Sequence, residues 1–166
     1  EGRHKPVVSG SCSSALQALF LASWLLQNGS SNVVVLAVDI LSPASHRNFE
    51  SLRVLSLTNE LPWNKDACGF VPGEAAVALN LKKWDEGIGG IPLSGTHLTQ
   101  NLASRDGFLR ALSFFDDDVD GFIVGQGVGP HDADKQELEA FQLRFSSKVP
   151  VATPVYHFGH TLGASA

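Results

Sequence analysis

The sequence predicts an α/β domain in which helices pack in layers against strands. Residues 15–27 are rich in Ala and Leu and apolar nearly all round, which is typical of a helix buried inside a layered fold. Residues 33–38 are an unbroken run of β-branched and apolar residues, which predicts a central strand covered on both faces. Strands and helices then alternate along the chain, as they do in α/β domains.

The first half of the chain contains the element on which the functional hypothesis depends. Residues 5–8 are predicted to end a short strand, and a tight turn at 9–11 delivers Cys12 to the start of the helix at 15–27. The other elements predicted here are a polar loop with a short helix at 42–56 and a hairpin of strands at 69–71 and 75–81.

The second half repeats the alternation of helix and strand. Its predicted elements are a helix at 98–114, a short buried strand at 121–125, a helix with a polar face at 134–145 and a strand at 149–153. We interpret 1–166 as one domain, with the glycine-rich segment 84–92 as a possible internal connection.

Composition excludes several classes of function. The net charge is −5 and no basic run exceeds Lys82-Lys83, so we expect no nucleic-acid partner. No apolar stretch reaches the roughly 20 residues that cross a bilayer, so we expect no membrane association. Two cysteines make a disulfide scaffold improbable and favour a reducing, cytoplasmic location.

Cys12 is the candidate nucleophile. Unpaired backbone N–H groups and the helix dipole stabilise negative charge at a helix N-terminus, which favours a thiolate there. A residue that takes an acyl group from a thioester needs this property. The alternative is a small buried hydrophobic residue, which is the commoner role of an isolated cysteine.

Three motifs carry a resemblance to a known family. Residues 10–16, Gly-Ser-Cys-Ser-Ser-Ala-Leu, resemble the nucleophile motif of β-ketoacyl synthases. Residues 64–75 are similar to the family segment in which a charged stretch leads to Gly-Phe-Val, one residue and Gly-Glu. Residues 159–164, Gly-His-Thr-Leu-Gly-Ala, match its second histidine motif. The three occur in the family's order and span nearly the whole chain.

The resemblance implies a thiolase-like, layered α-β-α fold, of which this chain holds only part of the full two-half arrangement. It implies acyl transfer from an acyl carrier protein or acyl-CoA thioester to Cys12, then decarboxylative condensation, in fatty acid or polyketide biosynthesis. No cofactor is implied. A homo- or heterodimer is expected, and because family members are more than twice as long, we expect a fragment of a longer polypeptide.

Two departures from the family bear on the reaction. His160 falls at the second catalytic histidine, whereas Gln126 stands where the family has its first histidine. The frame is fixed by neighbouring glycines and by Asp134 and Glu137. Gln126 donates hydrogen bonds but carries no charge, and Val155 replaces the family's lysine. Impaired elongation is therefore expected, and the alternative is a non-elongating partner resembling a chain-length factor.

Three weaker patterns suggest other sites. Residues 116–121 match the first half of an EF-hand loop, but the twelfth position is Gly127 rather than Glu. His157 and His160 lie three apart with no nearby acid or cysteine to complete a metal site. Residues 125–129 lack the spacing and lysine of phosphate-binding loops. We therefore expect no metal site.

Overall fold

A computed structural model describes residues 5–57, 62–85, 89–99, 104–115, 121–129, 131–145 and 149–164. The chain divides into two compact units. The first unit comprises Glu1–Ile40, Glu74–Leu98 and Thr161–Ala166, and the second comprises Leu41–Gly73 and Thr99–His160. Among the described residues, no helix combines the length and apolar character that crossing a membrane requires.

The first unit is a helix packed on a two-stranded sheet. Its elements are α1 (Ser14–Gln27), β1 (Asn32–Asp39), β2 (Ala75–Lys82) and a short 3-10 helix (Leu162–Ala164). The buried residues of α1 are Ala15, Ala22 and Leu26, whose spacing places them on one face. That face packs against β1, where Val35 is buried. The helix and strand predicted from these two segments are confirmed.

β1 is covered on one face only within the described residues. Val34 and Leu36, which alternate with Val35, are 62% and 69% exposed. Helix α1 likewise leaves Leu16, Phe20 and Trp24 on an exposed face. The prediction of a strand covered on both faces is therefore wrong for this structure, because α1 covers only one side.

β2 pairs with β1 rather than with the segment before it. The two strands are antiparallel, from Asn32 opposite Lys82 to Asp39 opposite Ala75. Residues 69–73 use their backbone elsewhere: the Phe70 N–H donates to the Val54 carbonyl at 2.9 Å. The predicted hairpin is therefore wrong, although its second strand is present.

The second unit is mainly helical. Its elements are α2 (Pro43–Ser51), α3 (Arg105–Leu112), β3 (Ile123–Val124), α4 (His131–Arg144), β4 (Val151–Ala152) and α5 (Val155–Phe158). β3 and β4 are parallel, with Ile123 opposite Val151. The core includes Ala140, Phe141 and Phe145 at the end of α4.

Serine caps fix where two helices begin. The Ser42 hydroxyl accepts from the Ser45 N–H at 3.0 Å and the Ser45 hydroxyl accepts from the Ser42 N–H at 3.0 Å, a capping box that starts α2. The Ser104 hydroxyl accepts from the Gly107 N–H at 3.2 Å and starts α3. The helix predicted at 98–114 is accordingly shorter than expected.

Two predicted strands differ from the structure. Residues 5–8 form no strand, and Val7 is 93% exposed, with no strand beside it in the described part of the chain. The strand at 121–125 is reduced to β3, and its Val124 is exposed rather than buried. Short apolar runs alone do not show whether a pairing partner is available.

Candidate active site

Cys12 lies in a strained turn immediately before α1, in the first unit. Ser11 adopts a left-handed conformation with φ of 52°. The Ser13 N–H donates to the Gly10 carbonyl at 3.2 Å, and the Gly10 N–H donates to the Ser14 hydroxyl at 2.9 Å. A non-glycine residue in this conformation costs about 1–2 kcal/mol, so these hydrogen bonds hold a turn that an unconstrained chain would avoid.

The environment of Cys12 favours the neutral thiol. Burial raises the pKa of the Cys12 thiol, a hydrogen bond from its own backbone lowers it by a smaller amount, and the Asp39 carboxylate raises it further. Cys12 also lies outside the helix, one residue before Ser13, which is the N-cap of α1. These effects oppose the thiolate that the sequence predicts at a helix N-terminus.

Gly163, near the end of the second histidine motif, packs against the cysteine turn. The Gly163 N–H donates to the Asp39 carboxylate at 2.7 Å. A Cβ at Gly163 would lie 3.0 Å from that carboxylate and 3.3 Å from the Ser11 carbonyl oxygen. Only glycine allows this close approach without movement of its neighbours, so Gly163 and Asp39 together buttress the turn that holds Cys12.

His160 is fixed in the interior of the second unit. It is 1% exposed, and its ring meets the Phe70 ring edge to face at 5.0 Å. Its backbone N–H donates to the Val71 carbonyl at 2.7 Å, and its carbonyl accepts from the Gly73 N–H at 2.9 Å. Packing against Phe70 therefore holds the imidazole, and the two hydrogen bonds fix the backbone of His160.

A buried carboxylate holds the backbone that carries Gln126. Glu137 is 4% exposed and accepts from the Gln126 N–H at 2.7 Å and the Gly127 N–H at 3.0 Å. The Thr153 hydroxyl donates to the Gln126 carbonyl at 2.9 Å. The Gln126 side chain itself is exposed. The backbone is thus anchored while the amide group faces solvent.

Trp63 completes this buried network, and the sequence analysis missed it. Its indole Nε1–H donates to Glu137 at 2.9 Å, and its backbone N–H donates to Asp134 at 2.8 Å. Asp134 also accepts from the Gly129 N–H at 2.9 Å. A buried tryptophan needs an acceptor for its N–H, and two acids three apart on one helix face could have indicated one.

A cleft of about 480 Å³ lies in the second unit, between the segments that adjoin Gln126 and His160. One wall is the loop of residues 127–129, which follows Gln126, and another is the stretch 155–159, which precedes His160. Phe70 and Val71 contribute a third side. The structure thus brings the surroundings of Gln126 and His160 to one cleft. Cys12 belongs to the first unit.

No metal centre is evident in the part of the chain that the structure describes. There, no three His, Cys, Asp or Glu side chains gather closely enough to hold an ion. Residues 116–120, which make up most of the EF-hand-like sequence, lie outside the described residues. Neither Cys12 nor Cys68 forms a disulfide.

Comparison with protein families addresses the resemblance directly. The family profile described as "Beta-ketoacyl synthase, N-terminal domain" matches residues 5–86, which include the Cys12 turn, β1 and β2. Residues 5–86 belong to the β-ketoacyl synthase family. The family resemblance predicted from the three motifs is therefore confirmed.

One relative of this chain is probable polyketide synthase 44 of Dictyostelium discoideum. The two are 36% identical over 111 residues, which is 65% of this chain and 4% of the relative. The chain therefore spans only a small part of this relative.

Solved structures confirm the thiolase-like fold predicted from the family resemblance. A β-ketoacyl synthase from Burkholderia phymatum STM815 superposes with a TM-score of 0.78 at 23% identity, over 94% of this chain and 44% of that chain. A type II PKS acyl-carrier protein in complex with its ketosynthase bound to the hexaketide gives 0.77 at 19%, over 95% and 46%. A ketosynthase in complex with its chain length factor from Xenorhabdus doucetiae gives 0.76 at 24%, over 95% and 42%.

The structure also describes the two positions, Gln126 and Val155, at which this sequence departs from the family motifs. Gln126 is exposed beside the cleft, and Val155 is half-buried and lines it. Neither side chain carries charge. Glu137 holds the backbone at Gln126, where the resemblance places the family's first histidine, and Asp134 holds Gly129 three residues later.

Proposed function

We propose that this chain accepts an acyl group from a thioester onto Cys12, as part of a ketosynthase of polyketide assembly. The observation that carries the proposal is the turn at Cys12, where a strained Ser11 and the buttress of Asp39 and Gly163 hold a half-buried thiol at the head of α1. A rigid setting of this kind orients a nucleophile and excludes competing water.

The proposed transfer moves the acyl group from the donor sulfur to the Sγ atom of Cys12. The Cys12 thiol gives up its proton, and Sγ attacks the acyl carbonyl carbon. The bond from that carbon to the donor sulfur then breaks, and the donor leaves as a thiol after taking up a proton. The raised pKa of Cys12 disfavours a free thiolate, so we propose that substrate binding promotes the loss of this proton.

An acyl carrier protein is the proposed donor. The support is the solved ketosynthase of similar fold, whose complex contains an acyl-carrier protein. Acyl-CoA is the alternative donor. Pairing with a second ketosynthase-type subunit is proposed on the same grounds, since a structurally similar ketosynthase is in complex with its chain length factor. We also propose that 1–166 is one ketosynthase-like domain, with 84–92 as an internal connection.

A second candidate function follows from Gln126 and Val155. Decarboxylation of a malonyl unit develops negative charge on the thioester oxygen, and two uncharged residues stabilise it less than a histidine and a lysine. The chain would then bind or pass on acyl groups without elongating them, like a chain-length factor. Fatty acid rather than polyketide synthesis is a variant of either proposal.

One experiment separates the two functions. The 166-residue chain is incubated with an acyl-carrier thioester and then with malonyl carrier, and intact mass and carbon dioxide are measured. Elongation predicts acyl mass on the protein and release of carbon dioxide. Acyl mass without carbon dioxide supports transfer alone, and in that case Gln126→His should restore some decarboxylation. If neither acyl mass nor alkylation of Cys12 by a haloacetamide is seen, both catalytic functions are wrong.

A further inference from the structure

The end of the first unit that holds Cys12 contains a carboxylate which the proposed function has used only as a support. Asp39 ends β1, and it is the only charged residue in α1, β1, the 3-10 helix and the turn of residues 9–13. Asp39 is half-buried. A partly buried charge is screened by salt less than an exposed one, so its field acts on the groups around it.

Atoms from three segments of the first unit converge where Gly163 meets the cysteine turn. A Cβ at Gly163 would lie 3.0 Å from Asp39 Oδ2. It would also lie 3.3 Å from the Ser11 carbonyl oxygen and 3.3 Å from Ser14 Cβ, and these two residues stand on either side of Cys12 in the chain. The Gly163 N–H donates to Asp39 Oδ2 at 2.7 Å. The carboxylate is therefore fixed beside the turn that contains Cys12.

Charge is distributed unevenly along the sheet of the first unit. β1 begins at Asn32, opposite Lys82, and ends at Asp39, opposite Ala75. Glu74 directly precedes Ala75 and lies at the Asp39 end. Lys82 instead lines a groove together with the last turn of α1, at the end of that helix away from the cysteine turn. The negative end of the sheet therefore adjoins the cysteine turn, and the positive end lies beside the other end of α1.

The Cys12 thiol responds to the charge of Asp39. Burial is the largest cause of the raised pKa of Cys12, and the Asp39 carboxylate raises this pKa further. A carboxylate that disfavours negative charge on Sγ also disfavours other negative charge close to Sγ, and it favours positive charge there. A short acyl chain bonded to Sγ carries its terminal group only a few bonds away, within the same field.

We propose that Asp39 selects the acyl group at Cys12 by charge, favouring a short chain that ends in a protonated amine and opposing one that ends in a carboxylate. An uncharged acyl group is intermediate. The inference rests on the proposed function, and Asp39 acts in it as a specificity-determining residue while the transfer from the donor sulfur to Sγ is unchanged. Repulsion of the wrong acyl group contributes to such selection as much as attraction of the right one.

The first test compares β-alanyl, butyryl and succinyl thioesters of N-acetylcysteamine on the 166-residue chain. Acyl mass on Cys12 is followed with time, and each rate is divided by the rate with 2-mercaptoethanol, an uncharged thiol, to remove intrinsic differences in reactivity. Relative to butyryl, β-alanyl should react at least about threefold faster and succinyl at least about threefold slower. Equal corrected rates for all three thioesters would overturn the inference.

The second test removes the charge with Asp39→Asn, which keeps an acceptor for the Gly163 N–H. The three corrected rates should converge in this variant, since a general change in thiol reactivity affects all three alike. The matched control is Asp85→Asn, which removes an exposed carboxylate beyond the Lys82 end of β2 and should keep the native ratios. Native ratios in Asp39→Asn, or convergence in Asp85→Asn, would contradict the role of Asp39.

Alkylation measures the same selection without acyl transfer. Iodoacetate carries a carboxylate, whereas iodoacetamide is uncharged. With rates again divided by those for 2-mercaptoethanol, Cys12 of the native chain should react with iodoacetate at least about threefold more slowly than with iodoacetamide. Asp39→Asn should remove this difference. Equal corrected rates with both reagents in the native chain would show that no charge selection operates at Cys12.

The two proposals fail in distinguishable ways. If no thioester acylates Cys12 but iodoacetate is disfavoured as expected, the acyl-transfer function is wrong and the charge selection by Asp39 stands. If the three thioesters acylate Cys12 at equal corrected rates, the function stands and the role of Asp39 is wrong.

Discussion

At the scale of single residues, reactivity at Cys12 is set by what surrounds the thiol. Burial is the largest cause of its raised pKa, and the Asp39 carboxylate adds to it. A group whose charged form is disfavoured in the folded state contributes stability at low pH. That stability is lost as the pH rises from the ordinary cysteine range through the raised pKa. The folded chain should therefore lose stability in alkaline solution.

Asp39→Asn should make Cys12 more reactive at neutral pH. Removing the negative charge lowers the pKa of the thiol, while the amide oxygen of asparagine still accepts from the Gly163 N–H. The iodoacetamide alkylation rate of Cys12 at pH 7 should rise about two- to fivefold, because a larger fraction of the thiol is ionised. Peptide mapping by mass spectrometry measures the rate. An unchanged or slower rate would show that Asp39 does not control this thiol.

Glu137→Gln should loosen the loop that carries Gln126. Glu137 accepts three N–H groups while nearly fully buried, and a neutral amide presents donors where acceptors are needed. The free energy of unfolding should fall by about 2–3 kcal/mol in urea titrations.

The matched control for that change is Glu139→Gln on the same helix. Glu139 lies 3.9 Å from Arg105, and its side chain is 40% exposed. Its loss should cost less than about 0.5 kcal/mol. Equal costs for the two variants would contradict a special role for the Glu137 network.

At the scale of elements, close backbone approach fixes the cleft walls. Gly129 has φ of 96°, and a Cβ there would overlap the Gly69 carbonyl oxygen. Gly29, after α1, has φ of 107° with open space around it. Gly129→Ala should therefore cost about 3 kcal/mol or more, whereas Gly29→Ala should cost only the conformational strain of about 1–2 kcal/mol. Thermal unfolding compares the two, and similar losses would exclude the steric explanation.

Elements with strong local signals could be predicted, and those that depend on distant partners could not. Periodicity within the local sequence predicts three elements, namely the Ala/Leu-rich helix, the strand at 33–38 and the helix at 134–145. The pairing of β1 with β2 joins residues 36 to 50 positions apart, so the local Pro-Gly turn wrongly suggested a hairpin. Motifs predict the three candidate site residues. They do not predict Trp63, because its hydrogen-bond partners are acids over 70 positions away.

At the scale of the whole molecule, the first unit exposes an apolar sheet face. Val34, Leu36 and Val38 of β1 project to the same side, away from α1. Exposed apolar surface of this kind promotes association. Leu36→Lys should reduce light scattering at high protein concentration while changing the free energy of unfolding by less than about 0.5 kcal/mol.

The buried neighbour Val35 provides the control for the sheet face. Val35→Lys places a charge beneath α1 and should destabilise the chain by about 3 kcal/mol or more. If Leu36→Lys destabilised the chain as much as Val35→Lys, the assignment of buried and exposed faces would be wrong.

We propose Cys12 as the acyl acceptor, and the location of acyl mass in the chain shows which residue takes up the acyl group. The chain is incubated with an acyl-carrier thioester, digested and mapped, with Cys12→Ala and Cys68→Ala variants in parallel. We expect acyl mass on the peptide that contains Cys12. This mass should be lost in Cys12→Ala and retained in Cys68→Ala, since Cys68 lies exposed outside the turn. Acyl mass on Cys68 alone, or retained in Cys12→Ala, would contradict it.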